Sequence, residues 1–134
     1  MNTKKTIIAV VVAFLLSNVL TTIWYTITDT SNYVPFRREE INYGLLVLNH
    51  LIYAGLLVYL FPVYYEKYLK RSYAFVFGCV TAAIMFIPQA LVVRAIWTVD
   101  VNLMFFLNTV AHLLIGGIIG WVISFIYGKR TVRA

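Results

Sequence analysis

Two histidines, His50 and His112, stand inside long apolar stretches, and amides accompany them. Asn49 precedes His50, with Tyr53 one helical turn on, and Asn108 lies one turn before His112. Asn18 sits within the first apolar stretch, while Gln89 follows Pro88 in the third and Arg94 lies further along it. Polar groups in hydrocarbon are costly unless paired, and ionisable ones there are functional candidates by default. Four kinds of chemistry fit this set. Asn, Gln and His can form a structural network, each bond worth about 0.6 kcal/mol across membrane helices. Asn108, His112, Gln89 and Arg94 can contact a small apolar ligand or quinone, with Tyr53, Phe86 and Trp97 as walls. His50 and His112 on different helices can ligate a haem b. The same histidines can carry ions or protons, although a proton-coupled transporter generally needs an intramembrane carboxylate and none lies at that depth.

Four elements must position these residues. The apolar runs are about 7–28, 41–64, 73–97 and 103–127, each reaching the roughly 20 residues a helix needs to cross a bilayer. The runs lack the alternation of a membrane barrel. The expected fold is an all-α membrane protein, one domain over 1–134, with four transmembrane helices in an up-down-up-down bundle. At 62% hydrophobic and 12% charged residues, a chain of 134 residues could not hide its apolar surface from water. The N-terminus resembles a signal peptide, with Lys4 and Lys5 before Ile7–Leu16. The run continues to Thr28 without a small-x-small cleavage site, so the expectation is an uncleaved first helix.

Lysine and arginine placement gives an orientation. Lys4, Lys5, Lys67, Lys70, Arg71, Lys129, Arg130 and Arg133 fall on one side, and only Arg37 and Arg38 on the other. The positive-inside rule then puts both termini in the cytoplasm. Trp24, Tyr25, Tyr43 and Trp97 mark the outer interface, and Tyr64, Tyr65, Tyr68, Tyr73, Trp121 and Tyr127 the inner one. No basic block suggests nucleic acid, so the expected partners are the lipid bilayer, another membrane protein or copy of this chain, or a small apolar ligand. Pro35 can open a helix, with Glu39 and Glu40 in its first turns and Arg37 and Arg38 projecting as a docking surface.

Depth can be counted along the spans. His50 lies nine residues from Ile41 and His112 nine from Leu103, which places both about 14 Å below the outer surface at 1.5 Å per residue. Asn18 and Gln89 lie ten and eight residues from the outer ends of their spans. All four helices thus bring an amide or imidazole to one level.

Small residues form the complementary pattern. Asn108, His112, Gly116, Gly120 and Ser124 recur every four residues and make one ridge on a helix. Gly116-x-x-x-Gly120 permits close approach of two membrane helices. Ala9, Ala13, Ser17 and Thr21 form a second ridge, and Ala74, Gly78, Ala82 and Ala90 a third. The expectation is a tight inner half, a looser polar outer half, and self-association through Gly116 and Gly120.

HExxH, CxxC, Walker and GxGxxG motifs are absent, and Asp29 and Asp100 lie at the outer surface, far from a nucleophile. The expected function is non-enzymatic, with no metal site. Cys79, the one cysteine, reads as a small buried hydrophobe. The Gly-rich fourth span, the Phe61-Pro62 end of the second and the Gly78 start of the third resemble small four-helix bacterial inner-membrane proteins in general. That resemblance implies a multi-pass protein of the bacterial inner membrane.

Overall fold

The computed structural model describes residues 3–28, 42–68, 71–96 and 103–128. It contains four helices: α1 (Thr3–Thr28), α2 (Tyr43–Tyr68), α3 (Arg71–Ile96) and α4 (Leu103–Tyr127). All four are long and apolar enough to cross a membrane, and the chain is a multi-pass membrane protein. α1 starts in the polar Thr3–Thr6 segment, ahead of its apolar run, and α2 continues past Pro62 and Tyr64 to Tyr68. Lipid thickness limits the apolar part of a helix but not its hydrogen-bonded ends.

Local chemistry fixes two ends. The Asn42 side chain accepts from the Leu45 N–H at 3.1 Å and its carbonyl from the Leu46 N–H at 3.2 Å, an N-cap that satisfies donors the first turn leaves free. α2 therefore begins at Tyr43, and Glu39 and Glu40 lie outside the described residues. The expected helix opening at Pro35, with Arg37 and Arg38, falls outside the described residues. α4 ends at Gly128, whose φ of 75° lets its N–H turn back to the Ser124 carbonyl at 3.1 Å.

α3 and α4 form the most extensive contact. α1 packs on α2 and α4, α2 packs less on α3 and less again on α4, and α1 and α3 touch least. The α3–α4 contact is backbone on backbone. A Cβ on Gly78 would overlap the Gly116 carbonyl, and one on Gly120 would overlap the Ala74 carbonyl. As numbers rise along α3 they fall along α4, so these two helices are antiparallel. The Gly116–Gly120 ridge, expected to join two copies, is thus occupied inside one chain. Ala9, Ala13, Ser17 and Thr21 are the buried residues of α1, and Ala74, Gly78, Ala82 and Ala90 are buried in α3. Small residues go inward because, without a hydrophobic drive in lipid, contact depends on how closely backbones can approach.

The apolar core lies toward the Thr3 and Tyr127 ends. Phe61 sits at its centre, fully buried, with ring centroids 5.7 Å from Phe77 and 5.4 Å from Tyr127. Leu57, Val58, Ile119 and Ile123 close around it, all fully buried. Large aliphatic side chains such as Ile27, Val63 and Ile84 face outward, as a lipid-facing surface requires.

Candidate functional site

Toward the Thr28 end of α1 the helices part, and the polar residues line a cleft between them. Its inner chamber has a volume of about 90 Å³ and is bounded by Ser17 and Thr21 of α1, Asn49, His50 and Tyr53 of α2, Phe86 and Gln89 of α3, and His112 and Gly116 of α4. A wider chamber of about 310 Å³ shares Thr21, Asn49, His50, Phe86, Gln89 and His112 with it and adds Tyr25, Leu46, Val93 and Asn108. The shared residues make the two chambers one cleft, to which every helix contributes.

The polar layer divides into two halves with different chemistry. On the α1–α4 side its groups are paired. Trp24 Nε1 donates to Asn108 Oδ1 at 2.7 Å, and the Tyr25 hydroxyl bonds His112 Nε2 at 3.1 Å. Phe86 stacks on the His112 ring with centroids 4.1 Å apart and planes 30° from parallel. These bonds join α1 to α4 where the glycines no longer hold the helices together. On the α2–α3 side the groups are open. No hydrogen bond joins Asn49, His50 or Gln89 to another described residue. The Tyr53 hydroxyl is buried without a partner, directly above Gly116. His50 is buried, whereas Asn49 and Gln89 are exposed at the margin of the cleft.

The cleft therefore gathers Asn49, His50, Tyr53, Gln89, Asn108 and His112 from the residues the sequence singles out. Asn18 is placed differently: its amide donates to the Phe14 carbonyl at 2.8 Å inside α1, and it lines neither chamber. The side chain of Arg94 and all of Trp97 lie outside the described residues. Gly78, Ala82, Gly116 and Gly120 form the packed seam beneath the cleft. Trp24 and Tyr25, read from the sequence as interface markers, are hydrogen-bonding partners of the polar layer. A signal for this exists, because the α1 ridge continued by one four-residue step from Thr21 reaches Tyr25.

Haem b fits poorly. His112 Nε2 is engaged by Tyr25, Phe86 covers one face of the ring, and α2 and α4 pack only lightly on each other. Tyr25 would have to leave before an iron could reach that nitrogen. Among the described residues, no group of three or more His, Cys, Asp or Glu side chains could hold a metal ion. Cys79 is half-buried, with its sulfur facing Gly117.

If the Trp24–Asn108 bond holds α1 to α4, a double-mutant cycle with Trp24→Phe and Asn108→Leu gives a coupling of about 0.6 kcal/mol, the typical value for such bonds in membranes. Unfolding in mild detergent titrated with a denaturing one measures it. Strictly additive losses would remove the bond's role. No family model, curated protein or solved structure matches this chain.

Proposed function

We propose that this is a small, non-enzymatic integral membrane protein that binds a small, largely apolar ligand in the cleft. The open α2–α3 half of the polar layer carries this reading. A purely structural network would pair its members, since buried polar groups are hydrogen-bonded as a rule and an unpaired one costs about 1–3 kcal/mol. Trp24–Asn108 and Tyr25–His112 follow that rule, whereas the Tyr53 hydroxyl does not. An apolar cleft with a few convergent, unfilled hydrogen-bonding groups is the usual form of a ligand site. Its two chambers together approach the lower range of drug-sized pockets, roughly 300–1,000 Å³.

The bundle runs up-down-up-down with both termini in the cytoplasm, supported by the Lys and Arg asymmetry and by antiparallel pairing. Lys5 Nζ reaches the Tyr127 carbonyl at 3.4 Å, joining the first turn of α1 to the last of α4. In this orientation the cleft occupies the outer half of the membrane, here read as a bacterial inner membrane.

Native mass spectrometry of protein purified in mild detergent tests the reading. The expected result is a monomer carrying one bound mass of a few hundred daltons, smaller than a bilayer phospholipid, lost in a His50→Leu, Gln89→Leu variant. A bare chain that binds nothing in any membrane extract overturns it. A haem-sized mass would restore the redox alternative.

A further inference from the structure

We infer that the ligand is a neutral amphiphile dissolved in the membrane, and that it enters sideways, through a gap between α2 and α3, rather than from water. This rests on the cleft being a ligand site. Three observations point to the route. Every residue from 42 to 49 is exposed, so the first two turns of α2 are loosely packed. Across the gap Gln89, Leu91, Val92 and Val93 of α3 are exposed as well. Asn49 and Gln89 stand at the two lips of this gap, both lining the cleft and both unbonded to another described residue. They are six and seven residues from the helix ends Tyr43 and Ile96, roughly 9–10 Å along each axis at 1.5 Å per residue. In the membrane orientation proposed above that level is hydrocarbon, so the gap faces lipid tails.

The ligand class follows from what the cleft offers. No charged side chain among the described residues lines either chamber. Against these lining residues a charged head group would be desolvated without a counter-ion, which is strongly unfavourable in an apolar surround. The open groups include acceptors and donors: two amides, an imidazole and a phenol. They suit a head bearing both hydroxyl and carbonyl groups. Inward of the lips the cleft narrows to the 90 Å³ chamber, which accepts a head group but not a chain. Leu46 and Val93 at the mouth, 43% and 40% exposed, give the chain an apolar path back into lipid. Exposed amides facing hydrocarbon are otherwise a standing cost; a passing head group that bonds them explains their place.

The test uses the full chain in phosphatidylcholine vesicles, with a monoacylglycerol bearing a photoactivatable diazirine beside its head group. The expected result is saturable labelling within 46–53 and 86–93. Unlabelled monoacylglycerol competes for it, and an equal concentration of glycerol does not. Leu46→Trp together with Val93→Trp, which fills the gap from its exposed lips, reduces labelling to the bulk-lipid level. The melting temperature of this variant stays within a few degrees of the parent's. Labelling that survives this plug, or that a water-soluble short-chain alcohol competes equally well, would mean filling from water and overturns the route while leaving a binding site. Cross-links between two copies through α2 and α3 would show a second copy covering the gap and also overturn it. Absence of saturable labelling, together with a bare chain in native mass spectrometry, removes the site and the inference together.

Discussion

Gly120→Leu unfolds the bundle as a monomer. A Cβ at this position already overlaps the Ala74 carbonyl and comes within 3.0 Å of the Gly78 Cα. Both are backbone atoms, so no rotamer change relieves the clash, and α3 and α4 must move apart. Overpacking in a soluble core costs about 1–3 kcal/mol. That loss is enough to separate these helices, because close packing rather than a hydrophobic drive holds them together in lipid. Gly78→Leu should act similarly, since its Cβ would overlap the Gly116 carbonyl. Gly55 is the internal control: a Cβ there meets nothing within 4 Å. Gly55→Ala should be neutral or stabilise by up to about 1 kcal/mol through helix propensity. Thermal unfolding in mild detergent, with mass measured on the same samples, separates the explanations. A folded Gly120→Leu monomer derived from an oligomeric parent would show that the ridge joins copies instead.

Tyr53→Phe stabilises the ligand-free protein and weakens ligand binding. The phenol oxygen is buried without a partner, and removing an unsatisfied buried group recovers about 1–3 kcal/mol. The ring remains, so only the oxygen facing Gly116 is lost. Retention of the bound mass should fall at the same time, because one of the few free hydrogen-bonding groups in the inner chamber is gone. Opposite signs on stability and binding distinguish a functional hydroxyl from a structural one. If Tyr53→Phe instead lowers the melting temperature of the bare protein, an ordered water in the chamber already satisfies the hydroxyl. The open half of the layer would then be a hydrated structural network.

The sequence by itself determined the helices and their packing faces. Helix count and placement follow from local properties, apolar run length against bilayer thickness, and four-residue spacing. Leu103–Tyr127 matches its expected limits, and the ridges of α1 and α3 are buried residue for residue. His50, Gln89 and His112 line one chamber, as a fixed rise per residue along spans of similar length allows. Asn18 shows where that reasoning ends. It has the right depth, but its amide bonds the Phe14 carbonyl one turn back, a local competitor that a depth count ignores.

Which polar groups are paired and which remain open depends on how the helices assemble. Asn108 and His112 are engaged because α1 lies beside α4 and turns Trp24 and Tyr25 toward them. Asn49 and Gln89 are open because α2 and α3 part at that level. The Gly116–Gly120 ridge was legible as a contact face, but its partner was not. Gly78 of the same chain and a second copy of α4 would satisfy the same spacing. Helices that are apolar on every side carry little record of their rotation or neighbours, since lipid and protein interior are nearly equivalent surroundings for Leu and Val. That choice is made by close backbone approach between particular helices, which exists only once all four are assembled.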